Sequence, residues 1–282
     1  MVELENLPDL VDPVMLAAFE GWNDAGDAAS GVLDHLADVW HATEIAALDP
    51  EDYYDFQVNR PMVALEDDGT RSLTWPTTRI SVAYGAIGNR DVVLVRGIEP
   101  NIRWRSFLGE ILAIADELDV TLVVNLGALL ADAPHSRPVP ISGTSFDDDL
   151  AVRLGLERSR YQGPTGIVGV LQDACDRVGI PAMSLWAAVP HYVAQPPCPK
   201  ATLALINKLE DLLDTRIPLG DLPEEARAWE HGVDELAAED SEVADYVRTL
   251  EEAKDTAELP EASGEAIARE FERYLRRRGG DG

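Results

Sequence analysis

Short apolar runs alternate with helical patterns along the first 220 residues, and this alternation constrains the fold more than any other feature. The runs have the length and composition of buried strands and lie at residues 14–19, 43–48, 60–65, 71–74, 80–84, 92–96, 121–125 and 182–188. Helical spacing of apolar residues follows Asp24 and recurs at residues 103–118, 146–154, 164–178 and 199–213. Strands that alternate with helices predict an α/β fold, here a three-layer α/β/α core with a mixed, mainly parallel sheet. The turn signal at residues 67–70 adds an antiparallel hairpin.

The character of the sequence changes after Gly220. Residues 221–282 contain nineteen acidic and eight basic residues and no run that is typical of a strand. Apolar residues at helical spacing mark three amphipathic helices there, the last around residues 267–275. We therefore predict an α/β core domain at residues 1–220 and an acidic helical region at residues 221–282, which docks on the core or on a neighbouring subunit.

The charge of the chain limits its partners. Fifty-two acidic residues and 23 basic ones give a net charge of −29. Such a surface repels phosphate backbones and anionic lipid headgroups, so we expect neither nucleic acid nor a membrane surface as a partner. The sequence predicts a cytoplasmic protein. It has only two cysteines and an acidic N-terminus without an apolar leader, and none of its apolar runs approaches the ~20 residues that span a bilayer.

The most unusual segment is A-F-E-G-W-N-D-A-G-D-A at residues 18–28, where the first strand gives way to the first helix. It places Glu20, Gly21, Trp22, Asn23 and Asp24 in a single turn. In open α/β sheets, ligands bind at such turns, beyond the carboxyl ends of the strands. The segment therefore has two interpretations: a binding site, or a tight turn in which Asn23 or Asp24 caps the helix.

Two later segments combine loop and helix-entry signals. The loop at residues 127–143 carries His135 and Arg137, which either bind an anionic group or pair with the protein's own carboxylates. G-P-T-G-I-V-G at residues 163–169 opens a helix, whose free backbone amides suit an anion. It lacks the lysine of a Walker motif, and close helix packing accounts for its glycines equally well.

No pattern in the sequence is typical of a metal centre or a catalytic centre. Asp147, Asp148 and Asp149 fall in a first helical turn, where the dipole favours acidic residues and neighbouring side chains diverge. The histidines form no H-x-x-x-H or H-E-x-x-H pair, and no G-x-S-x-G nucleophile elbow is present. Cys175 lies on an apolar helical face. We therefore expect no metal, no cofactor and no catalytic residue.

Several blocks together resemble one known family. They are the segment at residues 18–28 and the blocks at residues 97–104, 134–143, 161–169 and 189–194. These blocks are similar to the bacterial and archaeal relatives of the second proteasome assembly chaperone, particularly the actinobacterial branch. The resemblance implies a core akin to that of nucleoside phosphorylases and a protein partner linked to the proteasome. Together with the amphipathic C-terminal helices, it also implies a homo-oligomer, with a trimer favoured over a dimer.

Two functions remain open from the sequence. The favoured one is a non-catalytic, chaperone-like protein that binds or assembles other proteins. The alternative is an enzyme of the phosphorylase or hydrolase type that binds a nucleoside-like or anionic ligand. In either case we expect the turn after the first strand, the strand end at residues 125–127, the loop at 135–137 and the helix start at 163–166 to share one rim. The candidate ligand-binding or partner-binding residues are Glu20, Gly21, Trp22, Asn23, Asp24, Glu99, Arg103, Asn125, Gly127, His135, Arg137, Gly163, Thr165, Gly166 and His191.

Overall fold

The computed structural model describes residues 7–66, 68–156 and 161–258. Its strands are β1 (Val14–Glu20), β2 (Thr43–Ala47), β3 (Met62–Leu65), β4 (Arg71–Thr74), β5 (Arg79–Ile87), β6 (Arg90–Ile98), β7 (Leu122–Ala131), β8 (Ile141–Ser145) and β9 (Ala182–Pro190). Its α-helices are α1 (Ala28–Val39), α2 (Pro50–Tyr53), α3 (Trp104–Glu117), α4 (Asp148–Leu154), α5 (Ile167–Val178), α6 (Pro199–Leu213), α7 (Leu222–Glu239) and α8 (Ser241–Glu258).

Seven of the strands form one sheet in the order β2-β5-β6-β1-β7-β9-β8. The four central strands β6, β1, β7 and β9 are parallel, whereas the β2–β5, β5–β6 and β8–β9 pairs are antiparallel. Strands β3 and β4 form a separate antiparallel hairpin. The predicted α/β class with a mixed, mainly parallel sheet is therefore confirmed. Because β1 lies between β6 and β7, the turn after β1 sits at the middle of the edge where the parallel strands end.

Helices cover both faces of this sheet, as the alternation predicts. Val14 and Leu16 of β1 point into the core under α1 and α6, whereas Met15 and Ala17 point into the core under α3 and α5. All four side chains have no exposed surface. A parallel strand that is buried on both faces has no polar face to alternate with, which explains the continuous apolar run in the sequence.

The loop predicted at residues 127–143 is shorter in the structure. Strand β7 continues to Ala131 because it pairs with β9 along that whole length, and β8 begins at Ile141. The prediction missed β8 because its sequence, I-S-G-T-S, has one apolar residue and a glycine, which are weak signals for a strand. The loop proper is residues 132–140, and we call it the Arg137 loop.

Two helix starts also differ from the prediction. Helix α4 begins at Asp148, and its cap is Asp147, whose carboxylate accepts from the amides of Asp149 and Leu150. Ser145, which directly precedes the helix predicted at residues 146–154, donates its hydroxyl to the carbonyl of Ala182 and does not cap α4. Helix α5 begins at residue 167 rather than at residue 164, with Gly166 at its N-cap.

The C-terminal region is helical, as predicted, and its two described helices are held differently. Helix α7 buries Leu222, Ala226, Val233 and Ala237, and Leu222 belongs to the core under α1 and α6. Among the described side chains of α8, only Val247 is buried. The third predicted helix lies outside the described residues, and a domain boundary at residue 220 stays a prediction. No helix in the described part of the chain is long and apolar enough to cross a membrane.

Candidate interaction site

The turn after β1 meets the start of α5 through one carboxylate. The side-chain amide of Asn23 donates to Oε1 of Glu99 at 2.9 Å, and the backbone amide of Ile167 donates to the same oxygen at 2.8 Å. A Cβ added to Gly166 would lie 2.0 Å from the Asn23 amide nitrogen, so only glycine lets the two segments approach this closely. We call Asn23, Glu99 and Gly166 the rim junction.

Glu99 therefore occupies the position that the sequence suggested for an anion. It follows β6, and its backbone amide donates to the carbonyl of Glu20 at 2.9 Å, which fixes it beside the turn. Its carboxylate faces the N-terminus of α5, where the helix dipole favours negative charge. The α5 N-terminus thus already binds an anion, and that anion belongs to the protein.

Asp24 fills the equivalent position at α1. Its Oδ1 accepts from the amides of Ala29 and Ser30 at 2.7 and 3.2 Å. Of the two capping candidates in the turn, Asp24 is the one that caps the helix, while Asn23 turns towards Glu99. Burial is the main cause that raises the pKa of Asp24 above its usual value of 3.8. Its Oδ2 is buried and has no hydrogen-bond partner among the described residues.

Two arginines near this edge of the sheet are paired with carboxylates as well. Arg96 at the end of β6 contacts Glu20 and binds Asp34 at 2.9 Å, while Arg103 contacts Asp52. An arginine that is already paired must lose that partner before it can bind a phosphate or another anionic ligand. Arg96 and Arg103 are therefore not poised for a small anion.

His135 and His191 face the C-terminal helices rather than the rim junction. The His135 side chain is 2 % exposed, and its Nε2 lies 2.9 Å from Oδ1 of Asp234 on α7. Its Nδ1 lies 2.8 Å from the hydroxyl of Tyr192. His191 packs against the ring of Tyr246 on α8 at a centroid distance of 5.4 Å. These histidines join the core to the C-terminal helices.

Arg137 also binds a C-terminal helix. Its Nε and one terminal nitrogen donate to the two carboxylate oxygens of Asp255 at 2.8 Å each, and the other terminal nitrogen lies 3.4 Å from Oε1 of Glu251. Ser136 donates its hydroxyl to the same Glu251 oxygen. The Tyr246 hydroxyl donates to Oδ1 of Asp132 at 3.1 Å. We call these contacts between the Arg137 loop and α8 the α8 clasp.

Asn125 and Gly127 lie inside the sheet. Asn125 has no exposed surface, and its amide donates to the carbonyl of Met183 at 3.4 Å, while its Oδ1 has no partner among the described residues. A Cβ on Gly127 would lie 2.6 Å from the ring of Trp186, so this glycine makes room for the indole. Gly127 therefore has a packing role in the sheet.

Two exposed aromatic side chains flank the rim junction. Trp22 precedes Asn23 and is 65 % exposed. Tyr161 is 68 % exposed, and its hydroxyl donates to the carbonyl of Pro164, ahead of Gly166. Gly163 and Thr165 lie exposed on this same approach to α5. Large exposed aromatic side chains are typical of residues that dominate protein–protein interfaces.

The structure thus brings together the turn after β1, Glu99 and the start of α5. The turn also contacts β7, because the backbone carbonyl of Asn23 accepts from the Ala128 amide at 2.7 Å. The Arg137 loop makes its contacts with α7 and α8 instead. That any of these residues binds a ligand or partner stays a prediction. Tyr161 and Tyr192 were missed, and their positions in the blocks at residues 161–169 and 189–194 were the available signal.

Metal ligands and thiols show no reactive arrangement among the described residues. Those residues contain no cluster of three or more histidine, cysteine, aspartate or glutamate side chains that could hold a metal ion. Cys175 and Cys198 are fully buried. Burial raises the pKa of both thiols, that of Cys175 to about 12, which keeps them protonated and unreactive at neutral pH.

The fold and site define a class: an α/β protein with a mixed sheet, whose carboxyl edge carries internal carboxylates and exposed aromatic side chains. The chain belongs to the PAC2 family, whose profile matches residues 18–237. No curated protein matches the chain.

Solved structures of similar proteins agree with this assignment. The chain is 67 % identical to a PAC2 family protein from Streptomyces avermitilis MA, covering 84 % of this chain and 100 % of that one with a TM-score of 0.79. It is 56 % identical to a proteasome-assembly chaperone homologue from Mycobacterium tuberculosis, covering 83 % and 99 % with a TM-score of 0.76. The predicted resemblance to the actinobacterial branch is confirmed.

A more distant likeness concerns the fold alone. The archaeal proteasome activator PbaB from Pyrococcus furiosus is 16 % identical, with 84 % of this chain and 98 % of that one covered and a TM-score of 0.66.

Proposed function

We propose that this protein is a non-catalytic interaction protein that assists the assembly of other proteins. One observation carries the proposal: the positions at the sheet edge that suit an anionic ligand are occupied by the protein's own carboxylates. Glu99 faces α5, Asp24 caps α1, and Glu20 with Asp34 pairs with Arg96. A phosphorylase needs such positions free for phosphate.

The exposed side chains of Trp22 and Tyr161, which we call the rim, supply the interaction surface in this proposal. Trp22 and Tyr161 flank the rim junction, which is itself tied to the core by hydrogen bonds from Asn23 and Ile167. A rigid base under exposed aromatic side chains lowers the entropy cost of binding a protein. We therefore propose the rim as the main contact with the partner.

The relatives indicate the kind of partner. The Mycobacterium tuberculosis protein is named as a proteasome-assembly chaperone homologue, and more than half of its residues are identical to those of this chain. We propose a proteasome-linked protein as the partner and the cytoplasm as the place of action. The net charge of −29 favours a basic surface on that partner.

A homo-oligomer, with a trimer favoured, is part of the same proposal. In the structure α7 and α8 pack on their own chain, which removes the argument that they need a neighbouring subunit to bury their apolar faces. Light scattering at micromolar concentration tests the assembly state. A mass near 31 kDa, close to the 30.8 kDa of one chain, would contradict it.

One observation favours the alternative, a small-molecule enzyme. The buried oxygens Oδ2 of Asp24 and Oδ1 of Asn125 have no hydrogen-bond partner among the described residues, and such orphaned atoms are uncommon in native proteins.

Phosphate-dependent cleavage of purine and pyrimidine nucleosides by the purified protein separates the two functions. We expect no turnover above the rate without protein. Turnover near the ~10 s⁻¹ that is typical of enzymes, lost in Glu20→Ala or Arg137→Ala, would establish the alternative.

A further inference from the structure

The hairpin of β3 and β4 carries a dense group of exposed apolar side chains. Six large apolar side chains between residues 58 and 75 are 43 % to 75 % exposed, and the two buried cores of the described structure include none of them. Soluble monomers rarely expose apolar patches larger than a few hundred Å², and larger ones mark interaction sites. We call residues 58–75 the apolar hairpin, and its exposed side chains are Val58, Met62, Val63, Leu65, Leu73 and Trp75.

Both ends of the apolar hairpin are fixed to the core. The ring of Trp75 packs edge-to-face on Phe56 at a centroid distance of 4.8 Å, and Phe56 packs against the core under α3 and α5. At the other end, the side-chain amide of Asn59 donates to Oδ1 of Asn101 at 3.0 Å. Between these anchors, β3 and β4 pair with each other and not with the seven-stranded sheet. The hairpin is therefore an arm that the core holds in place without covering it.

Such an arm needs a cover that is always available. A two-stranded hairpin alone is marginally stable in water and gains stability from further strands or a packed face. Each strand of this hairpin leaves one edge unpaired, and the only charged residue within the two strands is Arg71. Unprotected edges of this kind pair with other chains. Because the hairpin is exposed in every molecule, its cover must be present wherever the chain is present, and a second copy of the chain meets that condition.

The charge of the hairpin also favours a second copy. With a net charge of −29, two copies repel each other across most of their surfaces. Residues 58–75 contain three acidic and two basic residues, and the acidic ones, at 66–68, lie between the strands rather than on them. Two such hairpins can meet with little repulsion, whereas a strongly basic partner would find little to attract it here.

Both faces of the hairpin are apolar, which limits how the copies can be arranged. Val63 pairs with Leu73, and Leu65 follows on the same face, whereas Met62 points to the opposite face. A two-fold pair of hairpins that met through the first face would leave Met62 uncovered. If each hairpin places its first face on the second face of the next copy, both faces are covered. Such head-to-tail contacts close into rings, and three copies make the smallest ring.

We propose that the apolar hairpins of neighbouring copies pack face to face around a closed ring of three chains and hold the homo-oligomer together. The inference rests on the homo-oligomer that is part of the proposed function, and it names the surface that forms it. The contact uses neither the rim junction nor the C-terminal helices, so the rim stays free for a protein partner.

A charge placed on the hairpin tests the contact. Leu65 on β3 is 75 % exposed and Leu236 on α7 is 62 % exposed, so Leu65→Asp and the control Leu236→Asp add the same charge at an exposed leucine. Light scattering over a range of concentrations measures the mass. We expect wild type and Leu236→Asp at three times the 30.8 kDa of one chain. Leu65→Asp should raise the concentration of half-dissociation by about tenfold or more, because it buries a carboxylate in place of a leucine.

Cross-linking tests which faces meet. The two native cysteines are fully buried, so a cysteine introduced on the hairpin is the accessible thiol. Leu73→Cys and Met62→Cys chains are mixed, allowed to exchange and treated with a short bismaleimide. We expect linked pairs that contain one chain of each kind, since the first face of one copy lies on the second face of the next. Linkage of Leu73→Cys chains mainly to each other would overturn the ring, and Leu236→Cys chains serve as the unlinked control.

The outcomes separate this inference from the proposed function. An oligomer that is unchanged in Leu65→Asp would overturn the hairpin contact and leave the homo-oligomer and the proposed function intact. A wild type with the mass of one chain at every concentration would overturn the homo-oligomer and the hairpin contact together, while partner capture by the rim is measured independently. If residues 58–75 gained protection from hydrogen exchange only with a captured host protein, that protein and not a second copy would be the cover, which would also overturn the inference.

Discussion

The rim junction and the α8 clasp both place a carboxylate of the protein against a group that attracts anions, but they differ in how that carboxylate is held. Glu99 follows a central strand, and its Oε1 accepts from Asn23 and from the amide of Ile167. Asp255 lies on an exposed helix, and its carboxylate is bound by the guanidinium of Arg137. The first carboxylate is fixed by the core fold, whereas the second leaves with its helix. The comparison teaches that a carboxylate of the protein stays bound at a site that attracts anions only where the core itself supplies that carboxylate.

The largest effect is expected from Gly166→Ala. The new Cβ would lie 2.0 Å from the nitrogen and 2.5 Å from the oxygen of the Asn23 amide, so the junction must open. Overpacking of this kind lowers the free energy of unfolding by about 1–3 kcal/mol. Urea denaturation measures the loss. The matched control is Gly109→Ala on α3, where a Cβ would meet nothing within 4 Å and should be neutral or slightly stabilising. Equal effects of the two variants would contradict the close contact at the junction.

A smaller loss is expected from Glu99→Ala. It removes the acceptor of two hydrogen bonds and leaves the amide of Ile167 without its cap, and because Glu99 is only half-buried the cost is about 0.5–1.5 kcal/mol. Glu99→Gln keeps an acceptor oxygen and should lose less. Thermal unfolding of the three proteins checks this order. If Glu99→Ala gained affinity for inorganic phosphate in a thermal-shift titration, the α5 N-terminus would be an anion site that Glu99 masks.

Arg137→Gln should leave global stability unchanged and affect α8 alone. The variant removes the fork that binds Asp255 and Glu251, while the core contacts of α7 remain. Hydrogen exchange followed by mass spectrometry should show faster exchange in residues 241–258 than in wild type, and unchanged exchange elsewhere. A drop in the midpoint of thermal unfolding as large as that of Gly166→Ala would show that α8 is an integral part of the core.

The pH dependence of the clasp should be confined to acid. The hydrogen bonds from Arg137 lower the pKa of Asp255 below its usual value of 3.8, so ionised Asp255 favours docking above that value. Docking is then lost as the pH falls through the lowered pKa, since protonation removes the charge that Arg137 binds. Exchange protection of α8, corrected for intrinsic rates, should be constant from neutral pH to about pH 5 and should fall in stronger acid. Asp255→Asn should remove this pH dependence. A loss of α8 protection already between pH 7 and 5 would show that a histidine, and not Asp255, controls the docking of α8.

Sequence patterns predicted the core strands and helices well because their physical causes are local. The apolar run of β1 and the proline at the start of α6 each act within a few residues. Strand β8 was missed because its place is fixed by pairing with β9, some 40 residues away, and not by its own composition.

The candidate site shows the same limit. The sequence marked Asn23, Glu99 and Gly166 through separate blocks, but only the structure shows that they meet at one carboxylate. It also suggested that Arg137 pairs with carboxylates of the protein, but not that they lie on α8, because a contact across more than 100 residues has no local signature.

The central claim, that the exposed rim binds a protein, is tested most directly by quantitative capture from the host cell. Tagged wild type, Trp22→Ala, Tyr161→Ala and the control Val152→Ala are purified in parallel, and the recovered proteins are measured by mass spectrometry. Val152 is 85 % exposed on α4 and belongs to no block near the rim junction. We predict a proteasome-linked protein recovered equally with wild type and Val152→Ala, and reduced about tenfold with each rim variant, as expected for interface hot spots. Equal recovery with all four proteins would contradict the rim as the binding surface.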